Sequence, residues 1–445
     1  MQKREIRLQY TGFVIFASKL LGMVTGLIFQ FMIARSTTKP QYDLWFNIND
    51  VLAYFTLLTG VLPFWVMRFV ARGKEGAAKT GLLANLTVSV IATVIYLSLV
   101  SLITSALGIT EKYDPQYLLL YFVAAFQIIE LYTISLLEAC LQASIPQTIG
   151  YGLIVQQFCK VILGYVLIIQ FQQPLLGAIV GITAAFAIQI VYYFKLLVKE
   201  LKQRIKWEYV KEWLKGSVAN IYNVVGNQIA ALIFIMLFVY GGGGARGRYG
   251  AAAQIANVIS YSSFLAFALY PKLLAERKSE DITTSLKMVL MFAIPLTAGA
   301  IALPESYITL FREDYPDAGP VLIVLAADFL ISTISGIYST VLYGVETLDE
   351  KAKISFKELT RSRLFFAFSL PYLHFAITLP IAFNVLTTYA YDQPLRAALA
   401  VSIINSSVHF AMFMILYIIV RKVIKVSIPW MSIAKYVFAS AVMAT

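Results

Sequence analysis

The sequence predicts an all-α polytopic membrane protein. Two six-helix lobes would form a parallel pseudo-repeat around a central cavity, with a partial thirteenth hydrophobic segment at the end. Three observations carry this reading. The first is composition: of 445 residues, 59% are hydrophobic and only 13% charged, and the mean hydropathy is +0.75. A soluble domain of this length would carry more charge. The second is spacing, because apolar stretches repeatedly reach the roughly 20 residues that a helix needs to cross a bilayer. The third is where Lys and Arg fall. With Met1 inside and a crossing at each stretch, the outer segments hold only Arg35, Lys39, Lys112, Arg246, Arg248, Arg312 and Arg396, while Lys19 and Lys160 lie within spans. The remaining cations fall on the inner side, which predicts a cytoplasmic N-terminus in a plasma-membrane protein.

In chain order, the predicted spans are 8–34, 42–69, 81–108, 116–142, 147–170 and 175–198, then 217–240, 249–275, 284–303, 319–346, 363–388 and 395–421. The first follows KREIR and resembles a signal peptide, but the run from Tyr10 to Ala34 is too long for one and reads as a retained span. Lys39-Pro40, Gln173-Pro174 and the run Gly241 to Gly244 mark short connections. The first lobe is residues 1–199 and the second 217–425. Between them, 200–216 closes the stretch KLLVKELKQRIKWEYVKEWLKG, too charged to span. Its apolar residues, Trp207 and Trp213 among them, recur at helical spacing between lysines, as in an amphipathic helix lying on the inner membrane surface. The competing reading is an ordinary solvated loop. The final segment, 426–445, turns apolar again in IPWMSIAKYVFASAVMAT and stops before it can cross. It reads as a thirteenth span cut short, or as an interfacial tail.

The second span of each lobe supports the repeat. Tyr42, Asn47, Asp50 and Tyr54 have counterparts at constant offset in Tyr249, Gln254, Asn257 and Tyr261, and Pro63 and Pro271 sit near equivalent inner ends. The polar residues fall at i, i+3 and i+7, on one helix face. Two lobes of six spans start on the same side, so the repeat would be parallel.

Composition also excludes classes. The net charge of +12 is spread over short loops, which suits anionic lipid and argues against nucleic acid. Cys140 and Cys159 lie in or beside spans and give no disulfide framework. No HExxH, GxxxxGK[ST] or GxSxG motif occurs and no metal-ligand spacing, so no enzyme, metal or cofactor is expected. Any driving force would be a Na⁺ or H⁺ gradient, because the chain has no nucleotide domain.

Ionisable groups inside a membrane cost several kcal/mol unless they face protein, water or a partner. This chain keeps Lys19, Asp50, Glu130, Glu138, Lys160, Asp328, His374 and His409 within its spans. On the first span, Ser18, Lys19, Gly22, Thr25, Gly26 and Gln30 share an arc of roughly 140° at 100° per residue. Asn220, Asn223 and Asn227 make a stripe on the seventh. The candidate cavity set is therefore Lys19, Gln30, Asn47, Asp50, Lys160, Asn220, Asn223, Asn227, Gln254 and Asn257, with Asp50, Glu130 and Asp328 as candidate ion-coupling carboxylates. Structural alternatives stand beside these. The Asn stripe could glue helices, Glu138 could reach the interface, Asp328 and Lys160 could be an ion pair, and the histidines could be packed.

The chain resembles a known family. FASKLLGMVTGLIFQFMIAR in the first span, QYDLWFNINDVLAYFTLLTGVLPFWVMRFVARGK in the second, and RYGAAAQIANVISYSSFLAFALYPKLLAER in the second lobe look like the polysaccharide (O-antigen type) flippases of the multidrug/oligosaccharidyl-lipid/polysaccharide (MOP) exporter superfamily. Ala34-Arg35 followed by Tyr42, and Gly60, Arg68 and Ala71-Arg72, match that family's pattern. SKLLG at Ser18 to Gly22 is also similar to the SRxLG of the related lipid II flippases, whose cavity cation serves the lipid pyrophosphate. The resemblance implies that role for Lys19, while further cavity arginines of that branch have no match here. It implies a flippase that moves a lipid-linked oligosaccharide by alternating access. The implied substrate is a polyprenyl- or dolichyl-(pyro)phosphate-linked oligosaccharide, and glycosyltransferases or a polymerase of the same pathway are the implied partners of a monomer. The alternatives are a Na⁺- or H⁺-coupled drug or metabolite exporter of the same superfamily and a non-transporting scaffold.

Overall fold

In a computed structural model, which describes residues 8–112, 116–266, 279–345, 363–424 and 426–444, the chain is helical throughout, with no strand among the described residues. It divides into two compact units, Met1–Gln228 and Ile229–Thr445.

The first unit runs α1 (Leu8–Ser36), α2 (Lys39–Thr56), α3 (Val61–Ala71), α4 (Ala77–Ala106), a short α5 (Ile109–Lys112), α6 (Gln116–Ser144), α7 (Gln147–Gly164), α8 (Pro174–Leu201), α9 (Glu208–Gly216) and α10 (Val218–Ala230). The second runs α11 (Leu232–Tyr240), α12 (Ala245–Ser260), α13 (Ser279–Ala302), α14 (Pro304–Phe311), α15 (Gly319–Val345), α16 (Arg363–Thr388), α17 (Pro394–Val423) and α18 (Trp430–Ala444). Among the described residues, ten helices are long and apolar enough to cross a membrane, or eleven with the bent pair α2/α3. Their outer faces are apolar: on α4, Ile91, Val94 and Leu102 are each more than half exposed. Such a surface is stable against lipid tails, where only a helix satisfies its own backbone. The protein is thus a multi-span membrane protein.

Several spans differ from their predicted form. The second is broken after Thr56, and α2 and α3 meet at 54°. The seventh is interrupted between Ala230 and Leu232, and the two units divide shortly before that break, after Gln228 within α10. The eighth loses its α-helical turn at Tyr261, and its predicted inner end with Pro271 lies outside the described residues. The terminal segment is a 15-residue helix, α18, packed on α13. At 1.5 Å per residue it is roughly 22 Å long, short of the hydrocarbon thickness.

The linker is not one surface helix. Its first part continues α8 to Leu201, and the rest docks back on the first unit. Gln203 Oε1 accepts the Gly76 N–H at 2.6 Å, and the Lys206 N–H donates to Thr80 Oγ1 at 2.8 Å. Gly76 sits at φ +77° with the Arg204 carbonyl against it, so no side chain fits there. Trp213 is fully buried against Phe69 and Tyr209, whereas Trp207 is exposed. The aromatic face of α9 therefore closes a core with Val66 of α3 and Leu137 of α6 rather than lying on lipid.

Within each unit the helices pack in the same order. In the first, α1 lies on α7, α4 and the α2/α3 pair on α6, and α8 on both α6 and α7. In the second, α11 lies on α16, α12 and α13 on α15, and α17 on both α15 and α16. Counted by span, the second pattern is the first advanced by six.

Candidate functional site

The polar arc on α1 separates into two faces. Ser18, Gly22, Thr25 and Phe29 point at α7. A Cβ on Gly150 of α7 would stand 2.8 Å from Ser18 Oγ, one on Gly22 would meet Gln157 Nε2 at 3.4 Å, and Gly164 packs on the Phe29 ring. The Thr25 hydroxyl reaches Gln157 Oε1 at 3.0 Å. These small residues let two helices approach closely, as at many buried membrane contacts. Lys19, Gly26 and Gln30 lie roughly 90° further round at 100° per residue. There Lys19 is exposed, and nothing stands within 4 Å of a Cβ built on Gly26.

Lys19 has a counter-charge: its ammonium lies near enough to Glu138 of α6 for the two charges to interact. Glu138 does not simply reach the interface. Gln189 Nε2 and the Tyr193 hydroxyl, both from α8, stand 3.2 Å from Glu138 Oε1, and Gln189 Nε2 also donates to Tyr193 Oη at 2.9 Å. The Ile149 carbonyl of α7 lies 3.1 Å from the same hydroxyl. Gly152 gives the Tyr193 ring its room, since any Cβ there would collide with it. Four helices thus fix one carboxylate beside one cation. Sequence reasoning left Glu138, Gln189 and Tyr193 out of the site. The only signal for the last two was their i, i+4 spacing on one face of the sixth span.

Other predicted residues are distributed differently. Asn47 is fully buried and accepts the Tyr121 hydroxyl of α6, so it is a core group rather than a cavity-lining one. The polar face of α2 opens further along, where Asp50 is half-buried and its charge acts on Tyr54. The Tyr54 hydroxyl stands near the Gln228 side chain of α10. On α10, Asn227 is exposed and its amide donates to Asn223 Oδ1 at 2.9 Å and to the Asn223 carbonyl at 3.0 Å. The side chain of Asn220 lies outside the described residues. Gln30 Oε1 and Glu130 Oε2 are buried without hydrogen-bond partners among the described residues.

Lys160 does not join Lys19. Its ammonium sits 5.4 Å from the Phe29 ring centroid. Phe29 is ten residues beyond Lys19, roughly 15 Å along a helix, too far for both amines to grip one phosphate. The Asp328 carboxylate of the second unit lies 3.0 Å from His409 Nδ1. In the second unit Gln254 and Asn257 are half-buried. Asn257 is engaged locally: Ser260 Oγ lies 2.8 Å from its Oδ1, and its amide lies 3.4 Å from Tyr261 Oη.

No family model and no curated protein matches the sequence. Solved structures do. A multidrug-resistance MATE-family transporter of the MOP superfamily in an inward-facing conformation aligns with a TM-score of 0.68 at 13% identity, over 90% of this chain and 95% of that one. The lipid II flippase MurJ, inward closed, aligns with a TM-score of 0.70 at 13% identity, over 98% of this chain and 91% of that one. A MOP-superfamily transporter from Pyrococcus furiosus, described as having a binding pocket of reversed polarity, aligns with a TM-score of 0.57 at 12% identity, over 93% and 95%. At these identities the likeness is one of fold: the chain has the MATE/MurJ-like fold, and its structural neighbours are MOP-superfamily transporters.

Proposed function

We propose that the protein is a flippase that moves a lipid-linked oligosaccharide across the cytoplasmic membrane by alternating access. The observation that carries the reading is Lys19, an exposed cation within a span, whose charge acts on a carboxylate held by Gln189 and Tyr193. A hydrated phosphate or pyrophosphate headgroup cannot cross hydrocarbon unaided. A charge-assisted contact from Lys19 would hold it, with Glu138 as the counter-charge when the site is empty. Asp50, Asn223 and Asn227 on the first unit offer partners for sugar hydroxyls. The lipid would be a polyprenyl or dolichyl carrier whose tail stays in the bilayer, and the enzymes that build or polymerise the glycan would be the partners. The MurJ likeness supports this reading at the level of fold.

The test is headgroup translocation in liposomes holding the purified protein and a labelled lipid-linked oligosaccharide, with and without an imposed Na⁺ or H⁺ gradient. Lys19→Ala should lower the rate at least tenfold in a protein that still folds, and a variant that flips normally refutes the central role of Lys19. The second reading is an ion-coupled drug or metabolite exporter. The carboxylates Asp50, Glu130 and Asp328 favour it, and gradient-driven movement of small organic cations without any transfer of lipid-linked sugar would establish it.

A further inference from the structure

The chain has two histidines in 445 residues, on different helices, and they stack with ring centroids 4.6 Å apart and planes 31° from parallel. His409 of α17 turns Nδ1 toward Asp328 of α15, 3.0 Å from Oδ1 and 3.3 Å from Oδ2. Asp328 and His374 are each 5% exposed, whereas the His409 side chain is 40% exposed. His374 of α16 lies against the Asn405 backbone, and its Nε2 is buried without a hydrogen-bond partner among the described residues.

We propose that Asp328, His409 and His374 form a site in the second unit that binds one exchangeable proton. A carboxylate in the apolar interior needs a counter-charge. In the sequence of α15, Asp328 is the single charged residue. On α17 the nearest other charges are Arg396 and Arg421, roughly 18 Å or more away along the helix. Arg421 bonds to the Tyr417 hydroxyl, and Tyr417 packs on Tyr338 of α15. Helix α16 adds Arg363 at its start and Tyr372, and α11 adds Tyr240. Helix α12 carries Arg246 and Arg248 in its first turn, the latter paired with Asp317. The charges of α13, Glu280, Asp281 and Lys287, lie in its first turns, and Glu305 opens α14.

The proton on His409 is therefore the local counter-charge. A second on His374 would set two cations face to face, so occupancy stops at one. Exchange must pass through His409, because the other two side chains are closed off. Among the described residues no group of three His, Cys, Asp or Glu is placed to hold a metal ion, which favours a proton as the ligand.

The test uses the full chain in lipid nanodiscs with nitrogen-15 in the histidine rings, so that only two imidazoles report. Between about pH 5 and 8 one ring should gain its second proton while the other stays neutral. His374→Gln should identify the doubly protonated ring as His409, and Asp328→Asn should change that ring's nitrogen signals. Two rings charging independently, indifferent to Asp328→Asn, would overturn the site, and so would Na⁺ expelling the proton at constant pH. If Asp328→Asn does not fold, the wild-type spectrum decides alone, because independent imidazoles would both charge. This titration needs no substrate, so its failure leaves the flippase reading standing. A chain that binds the proton yet moves no lipid-linked sugar would refute that reading and not the site.

Discussion

Lys19 and Glu138 set up a competition that can be measured. The Glu138 carboxylate feels the Lys19 charge, so on the proposed reading an incoming phosphate would compete with it, and the carboxylate would later help to release the phosphate. Glu138→Gln removes the competitor and keeps the hydrogen-bonding shape toward Tyr193 and Gln189. The expected result in the liposome assay is a lower KM for the lipid-linked substrate with turnover reduced severalfold. Unchanged KM and kcat would show that Glu138 has no part in the cycle. Packing around the same cluster gives a second contrast. Gly152→Ala forces a methyl into the Tyr193 ring and should destabilise the protein by about 1–3 kcal/mol. Gly26→Ala meets nothing within 4 Å and should be neutral or stabilising by up to about 1 kcal/mol. Apparent Tm in detergent distinguishes the two. The sequence made the first span's polarity legible but not its division. Ser18 and Lys19 are neighbours in the chain and lie roughly 100° apart on the helix, enough to put one inside a helix contact and the other outside it. Which side of that edge a residue takes depends on α7, far away in sequence.

At the level of elements, hydropathy located the spans and missed their breaks. Thr56 to Gly60 and Ala230 to Leu232 are as apolar as the helices beside them, and hydropathy cannot see a 54° bend. The linker misled for a related reason. An amphipathic helix has the same sequence pattern whether its apolar face meets lipid or protein. Here Gln203, Lys206 and the glycine turn at Gly76 hold it on protein, and none of those contacts is visible in periodicity. Trp213→Ala should therefore behave as a core mutation, with a loss of about 3–5 kcal/mol. Trp207→Ala, on the exposed side of the same segment, should stay within about 0.5 kcal/mol. Thermal unfolding followed in the purified protein checks the pair. Equal effects would mean that the segment leaves its dock in the membrane.

For the whole molecule, the two units repeat one packing order, although their aligned second spans share little beyond a few polar and aromatic positions. The repeat is legible in sequence only there, because lipid-facing and helix-facing positions both accept most apolar residues, and identity drifts while contacts persist. Six predicted spans per lobe would start each lobe on the same face of the membrane, and the Lys and Arg distribution predicts that this face is cytoplasmic. Single-cysteine labelling tests that orientation. Cys140 is buried and unreactive, so Cys159→Ala leaves a near-silent background. Gly243→Cys lies in the predicted outer loop with nothing within 4 Å of its Cβ, and Lys206→Cys lies in the predicted inner linker. In intact cells a membrane-impermeant maleimide should label the first and spare the second until the cells are permeabilised. The opposite pattern would invert every span. On the proposed reading Lys19 would then meet its substrate from the other leaflet first, while the fold and the Lys19–Glu138 interaction stayed as they are.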